Sequence, residues 1–166
     1  MALKNLQDAL LEEMQDMLSA EKQISRSLKK LAKKAEAEEL KTAFEEHLQQ
    51  TDGQIDRLEQ AFEKVGRKPR SKHCDAMKGI LDEGEEMLEE ADNDDIRDSL
   101  LIASAQKVEH YEIASYGTLC EWAQTLGLSD VAKLLHENLE EEKQTDEKLT
   151  KLAKSLNQQA KAAAAE

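Results

Sequence analysis

A chain of 166 residues is long enough for one domain with its own core, and a single proline, six glycines and abundant Ala, Leu, Glu, Lys and Gln favour helices over strands. A formal net charge of -13 opposes nucleic acid and anionic lipid as partners, since both reward clustered Lys and Arg. No run nears the roughly 20 apolar residues of a membrane span, and acids interrupt the apolar part of "MALKNLQDALLEEMQDML", unlike in a signal peptide, so a cytoplasmic protein is expected. Cys74 and Cys120 sit in no CxxC spacing and read as free thiols.

In chain order, helical periodicity first covers residues 3 to 34 and then 38 to 65, although the break at "KKAEAEEL" contains neither Gly nor Pro. The segment "VGRKPRSKHCD", built on Gly66 and Pro69, is a loop. Residues 75 to 91 follow as a shorter helix with Met77, Ile80, Leu81, Met87 and Leu88 as its apolar side, and a long helix covers 94 to 126. At "LGLSD", Gly127 can close that helix and Ser129 can cap the last one, over 129 to 156. The expected fold is therefore all-α, a four-helix bundle with an additional short helix in the crossover between the second and third long helices. Residues 1–158 form the domain, and the tail 159–166 lacks an apolar face and is expected to fray.

Acids interrupt the apolar faces. At about 100° per residue, with Leu101 as origin, Val108, Ala105, Tyr116, Ile102, Leu119 and Ile113 fill an arc from about -20° to 120°. Glu112 near 20° and Glu109 near 80° fall inside that arc. His110, near 180°, falls outside. Glu21 sits among Met14, Met17, Leu18 and Leu28 in the first helix. His47, Thr51 and Gln54 intrude on the second, and Asn138, Glu142, Thr145 and Asp146 on the last. Burying an ionised carboxylate without compensation costs several kcal/mol, so such a layer needs cations, protons, water or dense hydrogen bonding. Tyr111 and Tyr116 read as packing or hydrogen-bonding residues.

The chain also matches itself. Placing Leu10 over Leu101 sets Glu21 on Glu112 and Leu28 on Leu119, and the same displacement sets Leu48 on Leu139 and Leu58 on Leu149. This predicts two helical hairpins related by an approximate two-fold axis.

In ferritin-like di-metal proteins, one Glu from each of two helices and a Glu-x-x-His pair from each of the other two point inward. Glu21 and Glu112 suit the single-Glu role. The paired motifs are replaced by "TDGQ" at 51 to 54 and "EKQT" at 142 to 145, where only Glu142 is a ligand of the usual type. The segments "LSAEKQ" at 18 to 23, "AFEEHLQQTDGQIDRLEQAF" at 43 to 62, "AQKVEHYEIASYGTL" at 105 to 119 and "LEEEKQTDEKL" at 139 to 149 resemble the YciF-type bacterial stress proteins of the ferritin-like group. This resemblance covers nearly the whole chain. It implies a five-helix ferritin-like fold, a homodimer and a role in general and osmotic stress, with no established reaction.

Two functions remain open. The first is a stress protein that binds one or two metal ions, iron or manganese, and reacts with oxygen or peroxide. Its candidate ligands are Glu21, Glu112 and Glu142, with His47, Glu109 and Asp146 as further ones. The alternative is a metal-free bundle serving as a stress-induced protein-interaction module.

Overall fold

The structure is a computed structural model that describes residues 3–163. Five helices account for nearly all of it, and the described residues include no strand: α1 (Leu6–Lys34), α2 (Glu38–Lys64), α3 (Asp75–Glu89), α4 (Asp94–Thr125) and α5 (Ser129–Ala163). The helix starts are chemically marked. The Asn5 side chain accepts a hydrogen bond from the Asp8 N–H at 2.8 Å, and Asn93 accepts one from Ile96 at 2.9 Å. Two ends close on glycine. Gly66 and Gly127 both have φ of 72°, and the next residue's N–H reaches back to Phe62 and Ala123 respectively, each at 2.9 Å. Ser129 is the first residue of α5 and not its cap, because the Leu128 carbonyl already accepts from Ala132.

The four long helices form one antiparallel bundle. Between α2 and α5 the partners Glu46–Lys148, Gln54–Glu142 and Lys64–Asp130 run in opposite senses along the two helices. Between α1 and α4, Asp98 meets the residues after α1 while Tyr116 reaches Glu21. The hairpin α1–α2 thus stands against α4–α5, with α1 beside α4 and α2 beside α5. Most pairs matched by the internal displacement are buried together, as Leu10 with Leu101, Glu21 with Glu112, Leu28 with Leu119 and Leu58 with Leu149, whereas Leu48 is half-buried and Leu139 buried. Two antiparallel hairpins are therefore present, with the helices matched by the displacement lying side by side.

Helix α3 lies in the connection between α2 and α4 and packs on α1 and α4. A crossover of this kind separates ferritin-like bundles from simple up-and-down ones. Its apolar residues turn inward. Met77 and Leu88 are buried, while Ile80, Leu81 and Met87 are half-covered. Gly84 permits the close approach, since a Cβ there would lie 3.0 Å from the Ser104 hydroxyl. At the other end, α5 continues past residue 158 to Ala163, with Ala160 buried one turn beyond Leu156. The remainder of the tail expected to fray, 164–166, lies outside the described residues.

The break after α1, which carries no Gly or Pro, is made from a distance. The buried Asp98 carboxylate accepts from the backbone N–H of Glu36 at 3.0 Å and of Ala37 at 2.8 Å, pinning the link between α1 and α2 to α4. Hydrogen bonds to a charged acceptor contribute more than neutral ones, and their loss strands two N–H groups. Asp98→Ala is expected to destabilise the fold by about 2–3 kcal/mol, measured as a drop in the urea midpoint; an unchanged midpoint would show that water replaces the carboxylate.

Candidate metal centre

The polar intrusions meet at mid-bundle. His47 from α2, Glu109 and Glu112 from α4 and Glu142 from α5 are all buried, and each offers a ligand atom such that all four atoms lie within 4.8 Å of one another. Helical geometry explains the grouping: Glu109 and Glu112 stand one turn apart on one face, and α2 and α5 run antiparallel across from it. Glu21, from α1, is also fully buried, but its Oε1 accepts the hydroxyl proton of Tyr116.

Several polar atoms here have no hydrogen-bond partner among the described residues: both Glu112 carboxylate oxygens, Oε2 of Glu21, Glu109 and Glu142, and Nε2 of His47. His47 Nε2 lies 3.1 Å from Glu109 Oε1 and 3.9 Å from Glu142 Oε2 without a hydrogen bond to either. Native interiors seldom leave such groups unsatisfied. The one imidazole and three carboxylates fit a hard or borderline divalent ion such as manganese, iron or zinc.

The surroundings raise the proton affinity of the acids. Burial, followed by the charge of Glu142, pushes Glu21 up to about 8, and burial pushes Glu109 up to about 7. Glu112 rises well above the usual carboxylate range, first by burial and then by the charges of Glu142, Glu21 and Glu109. Glu142 is also raised, chiefly by burial. Burial and the neighbouring Glu21 likewise hold the Tyr116 hydroxyl well above its ordinary value.

A supporting ring surrounds the acids. The Gln54 amide donates to Glu142 Oε1 and, at 3.1 Å, to Glu141, while Arg57 donates to Glu141 and to the side-chain oxygen of Asn138. Asn138 in turn donates to the Tyr116 hydroxyl at 2.9 Å. The Thr145 hydroxyl lies 3.5 Å from His47 Nδ1 and donates to Gln50 at 3.2 Å. This kind of support orients a ligand histidine. Asp146 is placed differently from the other candidates. It lies at the rim, 21% exposed, 3.3 Å from His110 and accepting from Gln106 at 3.0 Å. One residue step of four carries it about 40° further round α5 than Glu142, enough to face outward. Sequence reasoning named Gln54 and Asn138 as intruders but missed Arg57, whose long side chain enters the layer from the edge of α2.

Fold and site together define an all-helical bundle with a mid-height layer of buried carboxylates and one histidine. The chain belongs to the family described as "Domain of unknown function (DUF892)", which matches residues 5–162. It is 49% identical over 154 residues to Protein YciF of Escherichia coli (strain K12), covering 92% of this chain and 93% of that protein. The crystal structure of the E. coli stress protein YciF matches with a TM-score of 0.90 at 47% identity, over 94% of this chain and 99% of that one. YcfI from Rhodopseudomonas palustris, whose description proposes a structural role, matches with a TM-score of 0.87 at 40% identity, over 89% and 94%. No helix among the described residues is long and apolar enough to cross a membrane.

Proposed function

We propose that this chain is a cytoplasmic stress-response protein that binds one or two iron or manganese ions in its bundle core and reacts there with oxygen or peroxide. The observation that carries this reading is the set of unpartnered donor atoms on Glu112, Glu109, Glu142 and His47, converging within a buried space. A redox-active ion held there supplies one-electron chemistry and a Lewis acid, which protein side chains lack. The chain's residues set the conditions. Gln54 holds Glu142 through Oε1 and leaves Oε2 to the site, Thr145 steadies the far side of the His47 ring, and the apolar Ile24, Leu28 and Val108 lie beside His47 and Glu109 and keep bulk water out. Protein purified without chelators or a metal-affinity tag is expected to carry near-stoichiometric iron or manganese and to consume peroxide faster than the stripped form. Failure to take up either metal would overturn the reading.

A metal-free interaction module is favoured by one observation: burial raises these carboxyls enough for protons to replace a cation. Thermal unfolding with and without metal separates the two readings. The resemblance to YciF-type proteins also supports a homodimer. Light scattering at micromolar concentration is expected to give twice the 18.7 kDa chain mass, and a monomeric mass would contradict it.

A further inference from the structure

The internal two-fold relation gives every member of the quartet a mate. His47 corresponds to Asn138, Glu109 to Leu18, Glu112 to Glu21 and Glu142 to Thr51. All four mates are fully buried, but only Glu21 among them is a ligand-type acid. Thr51 turns its hydroxyl to the His47 carbonyl of its own helix at 2.9 Å, and Leu18 offers no donor atom.

The two positions also differ in what fills them. Tyr116 reaches from α4 into the second one, where its hydroxyl donates to Glu21 and accepts from Asn138 at 2.9 Å. Asn138 is held in turn by Arg57. The mate of Tyr116 is Ser25, whose short side chain donates to Asp52 at 3.1 Å and reaches neither Glu112 nor His47. Among the described residues, both Glu112 oxygens and His47 Nε2 are accordingly left without partners, whereas Glu21 keeps one oxygen bonded.

Resting on the metal-binding reading above, we propose that the chain binds one divalent cation, at His47, Glu109, Glu112 and Glu142, and that Tyr116, Asn138 and Arg57 close the two-fold-related position with a hydrogen-bonded plug. Glu21 is a positioning residue of that plug and not a ligand. One ion with nitrogen and carboxylate donors suits manganese(II), iron(II) or zinc(II).

The test is saturation with manganese(II) followed by dialysis and elemental analysis, with circular dichroism confirming the fold of each variant. Wild type is expected to retain one ion per chain. Glu21→Gln and Tyr116→Phe should each retain that one ion, while His47→Gln and Glu109→Gln should weaken retention at least tenfold. Two ions per wild-type chain, or loss of the ion in either folded Glu21→Gln or folded Tyr116→Phe, would overturn the single-site inference while leaving metal binding intact. No retained ion in wild type would overturn metal binding itself and this inference with it.

Discussion

Glu112→Gln is expected to raise the thermal stability of the metal-free protein at pH 7 and to remove its response to added manganese(II). Glu112 is wholly buried and neither carboxylate oxygen has a partner among the described residues. Burial and the charges of Glu142, Glu21 and Glu109 raise its proton affinity. Keeping a proton that the unfolded chain has released costs about 1.4 kcal/mol per pH unit above the unfolded value. Gln has nearly the same shape and incurs no such cost, so a gain of about 1–3 kcal/mol is expected, or several degrees in Tm. The same change removes a ligand charge from the quartet. For a protein that binds metal only when folded, an ion at 100-fold its Kd adds about 2.7 kcal/mol, and the variant should lose this increment. Unfolding of both proteins with chelator and with manganese(II) gives the comparison; a variant that is less stable without metal yet still responds to it would contradict the account.

The second large effect is on pH dependence. Glu21 and Glu109 are raised from 4.5 to about 8 and about 7, mainly by burial. Between pH 4.5 and those values the folded chain binds more protons than the unfolded one, so metal-free stability falls as pH rises from about 5 to 8. Below that window both states are protonated and the contribution is flat. A cation held by the quartet displaces the proton of Glu109, so stabilisation by manganese(II) should grow as pH rises toward about 7. Repulsion among surface acids in a chain of net charge -13 slopes the same way, but salt screens exposed charges more than buried ones. The slope should therefore persist at high salt. Melting curves that run parallel with and without metal from pH 5 to 8 would argue against proton–metal exchange.

Much of this site was legible because a helix buries whatever lies on its apolar arc. Glu112, Glu109, Glu142, Glu21 and His47 fall within such arcs, and the structure buries all five. The internal displacement paired Glu21 with Glu112, and both point into the bundle. Contacts between distant segments were harder to read. Periodicity assigned no partner to Asp98, although it pins the link between α1 and α2 to α4. Asp146 shares the broad apolar arc with Glu142, but membership of the arc does not show that it stands at the rim beside His110. The apolar side of α3 was legible, but what covers it depends on how the crossover docks, which Gly84 and Ser104 determine by their small size. Arg57 carried no signal in the pattern, because a long cationic side chain on a helix edge reads as solvated unless its acceptors are known.

The most direct test of the central claim is anomalous diffraction from crystals grown with manganese(II) and measured to locate that element. The account predicts a peak among His47 Nε2 and the carboxylates of Glu109, Glu112 and Glu142, and none between Glu21 and the Tyr116 hydroxyl. Saturated crystals with no peak among those four side chains would contradict it.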